Sequence, residues 1–165
     1  MKRTSLSLVL LFTVLVLSGC EQSEKKELLL NALFTDHMVL QQKKEVAFWG
    51  SYTPNEEITV HGSWGRESTC VADAFGQWKL NIATPKAGGP YEVTIRTKST
   101  TKSIKDVLIG EVWLASGQSN MEMDFDYCCN TTDFSELERG NANYPNIRMI
   151  NVKKQLSLTP VQEFE

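Results

Sequence analysis

The stretch that decides the fold lies at residues 105–121 and reads Lys-Asp-Val-Leu-Ile-Gly-Glu-Val-Trp-Leu-Ala-Ser-Gly-Gln-Ser-Asn-Met. An apolar run from Val107 to Leu114 leads directly into a turn of small residues, Ser116 to Asn120. Such a run predicts a strand covered on both faces, and nucleophiles commonly lie at the carboxyl end of such strands in α/β sheets. Ser119 is therefore a candidate nucleophile. An ordinary strand-to-loop junction is the alternative, because Gly, Ser and Asn are common turn residues.

The residues that follow indicate the opening of an α/β domain. Asp133 to Glu136 has the spacing of a capping box and Arg139-Gly140 is a helix stop, which together predict a helix at 133–139. A second strand is predicted over Ile147–Val152. Strand, helix and strand form the first unit of a doubly wound parallel sheet. One such unit cannot bury both faces of its first strand, so we expect 105–165 to be an incomplete domain.

The preceding part of the chain, residues 28–104, shows short strands with turn signals between them. Apolar and polar residues alternate in several segments, which is typical of antiparallel strands with one buried face. This pattern predicts a β-sandwich domain over 28–104. The clearest alternating segments carry Ile58 and Val60; Trp78, Leu80 and Ile82; and Tyr91, Val93 and Ile95.

The N-terminus has the features of an export signal. Lys2 and Arg3 precede an apolar run from Leu6 to Leu17, which is short for a membrane span. The following Leu-Ser-Gly-Cys resembles the bacterial lipobox, which implies that 1–20 is a lipoprotein signal and that Cys20 is lipidated. Residues 21–27 are polar and predict a linker. We therefore expect a lipid anchor in the bacterial cell envelope, periplasmic or on the outer-membrane surface. A plain signal peptide with an incidental cysteine is the alternative.

Composition excludes several classes of partner. The chain has 165 residues and a formal net charge of -3, without a cluster of Lys and Arg, so nucleic acid is not an expected partner. No Cys/His spacing matches a zinc site, and we expect neither a metal nor a cofactor. The pairing state of Cys70, Cys128 and Cys129 stays open.

Five blocks of the sequence carry a family resemblance. Gly110 to Leu114 followed by Ser116 to Glu122 resembles the first conserved block of the sialate O-acetylesterases, a branch of the SGNH hydrolases. The similarity covers about residues 28–152 and keeps the blocks in order. The other similar blocks are residues 33–41, 46–50, 87–91 and 144–148.

The resemblance implies a function and a set of site residues. The family removes acetyl groups from sugars, including O-acetylated sialic acids, with a serine and without a metal. It implies Ser119 as the nucleophile and Gly117, Gln118 and Asn120 as the oxyanion and active-site loop. The domain at 105–165 is then the N-terminal part of an SGNH (flavodoxin-like) hydrolase domain, whose catalytic Asp and His are expected in later blocks. We therefore expect an N-terminal fragment of an esterase, inactive alone.

The residues themselves set the same limit. A serine hydroxyl needs a base, normally a histidine, and the only histidines are His37 and His61, both within the predicted sandwich. Neither is expected to serve Ser119. The alternative function is a non-catalytic surface lipoprotein whose sandwich binds glycans through exposed aromatics, with Trp64 and either Phe75 or Trp78 as candidates.

Overall fold

The computed structural model describes residues 27–123, 135–152 and 156–161. Eight strands and two helices lie within these ranges. The strands are β1 (Leu29–Leu30), β2 (Val39–Gln41), β3 (Glu45–Ser51), β4 (Glu57–Gly62), β5 (Arg66–Val71), β6 (Gln77–Ala83), β7 (Gly88–Arg96) and β8 (Thr101–Gly110). The helices are α1 (Ser119–Glu122) and α2 (Ser135–Asn141). The predicted lipidation site Cys20, the signal, and both Cys128 and Cys129 lie outside the described residues.

The strands form two sheets. One contains three strands in the order β1-β3-β6, and the other contains five in the order β2-β8-β7-β4-β5. All pairs are antiparallel except β2 with β8, which is parallel and joins Val39 to Leu108 and Gln41 to Gly110. Residues 27–110, which carry both sheets, are called the two-sheet region below. The described part of the chain is thus made of mixed β-sheets with few helices, which confirms the β-sheet content of the predicted fold.

One hydrophobic core lies in the two-sheet region. Every buried hydrophobic side chain of the described residues falls between Leu28 and Ile109. The alternating segments bury the residues that the pattern selects, because successive side chains of a strand point to opposite faces. Phe48 is fully buried and stacks on Phe34 with ring centroids 4.6 Å apart. The buried members of the alternating segments are Ile58, Val60, Trp78, Leu80, Ile82, Val93 and Ile95.

The strand predicted over Val107–Leu114 is wrong in its bounds. The structure begins this strand at Thr101 and ends it at Gly110, so it crosses the predicted boundary at residue 105. β8 pairs with β7 along most of its length and with β2 at its end, and this buries Val107 and Ile109. An apolar run of this length suits a central strand of a two-sheet core as well as a parallel α/β strand. The apolar residues beyond Gly110 are exposed.

The elements predicted downstream are found in part. The helix predicted at 133–139 is observed as α2, which begins at Ser135, while residues 133 and 134 lie outside the described ranges. Ile147–Val152 forms no strand. Within the described part of the chain these residues have no neighbouring strand to pair with, and Met149 is 94% exposed.

None of the helices in the described ranges is long and apolar enough to cross a membrane.

Candidate active site

Ser119 is the first residue of the short helix α1, and it is exposed. The chain enters α1 through Gln118, whose backbone is extended (φ -98°, ψ -155°) and whose carbonyl accepts from the Met121 N–H at 2.9 Å. A side chain at Gly117 would place a Cβ 2.6 Å from Met121 Cγ, so glycine leaves room for the turn. The predicted site residues Gly117, Gln118, Ser119 and Asn120 thus lie together on one exposed turn.

Within the described residues, nothing activates Ser119. Its hydroxyl has no hydrogen-bond partner there, and both histidines belong to the two-sheet region: His37 pairs with Asp106, and His61 lies in β4. No three His, Cys, Asp or Glu side chains come together as metal ligands in the same part of the chain. A serine of this kind becomes a nucleophile only when a base takes its proton. Within the described residues Ser119 therefore offers an accessible hydroxyl with no histidine beside it.

The chain leaves β8 through a hydrogen-bonded cluster centred on Glu111. Gln41 Nε2 donates to one carboxylate oxygen at 2.9 Å, and Gln42 Nε2 donates to the other at 2.6 Å. The Gln41 amide oxygen accepts from the backbone N–H of Val112 at 2.8 Å. The hydrogen bonds from Gln41 and then Gln42 lower the pKa of Glu111, because they favour its charged form. We call this cluster the glutamate clamp.

A second cluster is centred on Asp106, which is half-buried in β8. His37 Nδ1 donates to Asp106 Oδ2 at 2.5 Å, and Arg148 Nη2 donates to both carboxylate oxygens at 3.0 and 2.9 Å. Arg148 Nη1 donates to the Asp106 carbonyl and, at 3.5 Å, to that of Met38. The hydrogen bonds from His37 and then Arg148 lower the pKa of Asp106. We call this cluster the arginine clamp.

No local sequence pattern indicates either clamp. Gln41 and Glu111 are 70 residues apart, and the other partners in the clamps are between 42 and 110 residues apart, so no spacing rule connects them. The one available signal was placement: His37, Gln41, Glu111 and Arg148 all fall inside the blocks that carry the family resemblance. Polar residues of such blocks whose side chains do not face the core are candidates for hydrogen bonds that fix the position of the active-site segment.

Comparison with known proteins places the chain in a family. It is 36% identical over 127 residues to a sialate O-acetylesterase from Mus musculus, which covers 71% of this chain and 23% of that protein. The sialate O-acetylesterase from Homo sapiens is 36% identical over 135 residues, covering 76% and 24%. The chain belongs to the sialate O-acetylesterase family. It spans about a quarter of the length of these relatives. No family model matches the sequence.

A solved structure supports membership of the sialate O-acetylesterase family. A carbohydrate acetylesterase from Xanthomonas citri superposes with a TM-score of 0.75 at 33% identity, over 84% of this chain and 31% of that one. The predicted family is therefore confirmed. The roles of Ser119, Gly117, Gln118 and Asn120 stay predictions.

The aromatic row required by the glycan-binding alternative is not present on these residues. Trp78 is 3% exposed and lies in the core. Trp64 is half-buried, donates its Nε1–H to the Ala83 carbonyl at 2.9 Å and packs edge-on against Tyr91. Of the three aromatics considered, Phe75 alone is exposed, at 82%. Trp78 is not available to this alternative, because strand alternation places it on the inner face of β6, where small β cores gather their aromatics.

Proposed function

We propose that this chain supplies the nucleophile of a sialate or carbohydrate O-acetylesterase, with Ser119 in that role. The observation that carries the proposal is the exposure of Ser119 on the turn that follows β8, inside the block that resembles the family. The proposed substrates are acetylated sugars, including O-acetylated sialic acids. Gly117, Gln118 and Asn120 form the proposed oxyanion and active-site loop.

In the proposed reaction Ser119 Oγ attacks the acetyl carbonyl while a base removes the hydroxyl proton. The resulting oxyanion accepts hydrogen bonds from backbone N–H groups of the loop, and each donor of this kind contributes about 3–4 kcal/mol to transition-state stabilisation. The sugar oxygen then leaves with the proton, and water hydrolyses the acetyl-serine to acetate. The base is a histidine oriented by an aspartate, neither of which we assign to a residue of this chain. We therefore expect the 165-residue chain by itself to be nearly inactive.

Exposed apolar residues support the proposed incompleteness of the site. Val112, Trp113 and Leu114 are 53%, 85% and 93% exposed, and Met149 is 94% exposed. Together they form an unusual amount of uncovered apolar surface for a soluble protein. We propose that the two-sheet region is a β-sandwich domain. We also propose that the residues after β8 belong to an SGNH-type α/β hydrolase domain. Further elements of that domain would cover these side chains.

The experiment that tests the proposal compares Ser119→Ala with Ser116→Ala, an exposed serine of the same segment. In an active esterase that contains these residues, Ser119→Ala should lower p-nitrophenyl acetate turnover by about 10³-fold or more, and Ser116→Ala should leave it within a few-fold. The 165-residue chain should hydrolyse the ester at the buffer rate with either serine present. Full turnover after Ser119→Ala would refute the assignment, and Ser119-dependent turnover by the short chain would refute its inactivity.

We further propose that Cys20 carries a lipid and anchors the protein in a bacterial cell envelope. Support comes from the basic start, the apolar run and the Leu-Ser-Gly-Cys sequence. Metabolic labelling with a clickable fatty acid should mark the protein and should fail for Cys20→Ala. Equal labelling of both would contradict the anchor.

A further inference from the structure

β2 and the residues beside it form a fixed platform at the edge of the five-stranded sheet. Leu40 is 5% exposed and packs in the core, and β2 is paired along its length with the end of β8. The Leu108 N–H donates to Met38 O at 3.0 Å, and the Gln42 N–H donates to Gly110 O at 2.8 Å. Backbone hydrogen bonds to β8 and core packing thus hold residues 38–42 in place.

The glutamate clamp fastens the start of the Ser119 segment to this platform. The side-chain amides of Gln41 and Gln42 each donate one hydrogen bond and accept another. Gln41 donates to Glu111 and accepts from the Val112 N–H. Gln42 donates to Glu111 and accepts from the Ala87 N–H at 2.9 Å. Because Gln41 and Gln42 each have both a donor and an acceptor engaged, their orientations are defined. Hydrogen bonds to a carboxylate are shorter and stronger than those between neutral groups. The direction in which the chain leaves β8 is therefore set by side chains of the platform.

The arginine clamp fastens a later stretch of the chain, at Arg148, to the platform. Asp106 lies next to a register shift between β7 and β8 and has a left-handed φ of 52°, a conformation that Asp tolerates better than most residues. Its carboxylate receives the fork of Arg148, whose side chain is 19% exposed, and Arg148 also reaches Met38 O. An arginine fork on a carboxylate fixes orientation as well as distance. Residues 144–148 are thereby held on the platform at Met38.

We propose that Glu111 and Arg148 are positioning residues: Glu111 holds residues 112–123, which carry Ser119, on the platform, and Arg148 holds the described residues before it, 135–147, beside them. The two attachment points, Met38 just before β2 and Gln41 at its end, are three residues apart, or about 10 Å along extended backbone. The two-sheet region then serves to fix the position of the reactive serine and is not a separate binding module. The catalytic part of this inference rests on the proposed function, whereas the attachment itself does not.

Amide hydrogen exchange of the 165-residue chain tests the attachment. The Val112 N–H reports the glutamate clamp, and the Ile147 N–H, which donates to Tyr144 O at 2.9 Å, reports the arginine clamp. In Glu111→Gln only one side-chain oxygen is left to accept hydrogen bonds from the two glutamines, so the orientation of Gln41 is less well fixed. Because Gln41 accepts from the Val112 N–H, that N–H should exchange at least tenfold faster. Arg148→Met should accelerate Ile147 at least tenfold, and Arg148→Lys should accelerate it less.

The matched control is Glu67→Gln, which removes the exposed Arg96–Glu67 ion pair (2.8 Å) elsewhere on the same sheet. It should leave both reporters unchanged. The Tyr52 N–H, bonded to Gly76 O at 2.8 Å, should exchange at the parent rate in every variant, which shows that the two-sheet region remains folded. Parent-like exchange of Val112 and Ile147 in the clamp variants would overturn the proposal.

Kinetics of an active esterase containing these residues tests the positioning role. Glu111→Gln and Arg148→Met should lower kcat at least tenfold and change KM less than twofold, with part of kcat restored in Arg148→Lys, because small displacements of a nucleophile are costly. Unchanged kcat alongside faster exchange would overturn the positioning role. Turnover that survives Ser119→Ala would instead refute the proposed function, and the exchange data would still decide whether the clamps hold.

Discussion

Ending the chain after Val112 should leave the two-sheet region folded. No hydrophobic side chain of the described residues is buried beyond Ile109, so the truncation removes no core packing. Among the hydrogen bonds between described residues, the truncation removes the four that the Arg148 side chain donates to Met38 and Asp106. We therefore expect the free energy of unfolding to fall by about 2 kcal/mol, because hydrogen bonds to a charged group contribute about 1.5–3 kcal/mol and the Asp106 carboxylate keeps His37 as a partner.

Urea unfolding followed by tryptophan fluorescence measures the difference in free energy of unfolding between the truncated and the full chain. The Phe48→Ala variant of the full chain serves as the reference. Phe48 is fully buried, and replacing a buried Phe by Ala costs about 3–5 kcal/mol. The truncated chain should thus be clearly more stable than the Phe48→Ala chain. It should also aggregate less, because Trp113 and Leu114 are removed. A truncated chain that is unfolded, or no more stable than Phe48→Ala, would show that later residues are part of the fold of this region.

Two further predictions concern single residues. The lowered pKa of Glu111 means that its carboxylate stabilises the folded state above the ordinary value of about 4.3, and that this contribution is lost as pH falls through the lowered pKa. In an NMR titration, Gln41→Leu should return the Glu111 pKa toward the ordinary value, and an unchanged pKa would contradict the glutamate clamp. Gly50→Ala would place a Cβ 2.1 Å from the Leu29 carbonyl oxygen, so it should detach β1 and cost about 1–3 kcal/mol in urea unfolding. Gly140→Ala meets no atom within 4 Å and should be neutral or stabilising; equal losses for both would contradict the account.

Local patterns in the sequence predicted most of the two-sheet region. Alternation in β4, β6 and β7 identified the buried side chains, because a side-chain period of two is a property of any extended strand. The helix α2 was predicted from its capping and stop residues. The turn that presents Ser119 was predicted from small residues after an apolar run, and its family from the residues around that turn.

The tertiary structure decided what those patterns left open. The apolar run at 107–114 does not encode which neighbours its strand will pair with, and pairing with β2 and β7 ended the strand at Gly110. The clamps join residues 70 and 42 positions apart, and the choice among many possible polar partners depends on which ones the sheets bring within hydrogen-bonding distance. The sequence by itself thus determined the strands and the exposed serine. Only the packing of the sheets determined how the segment that carries this serine is held in position. Hydrogen bonds between residues far apart in the sequence follow from the fold and not from the spacing of those residues along the chain.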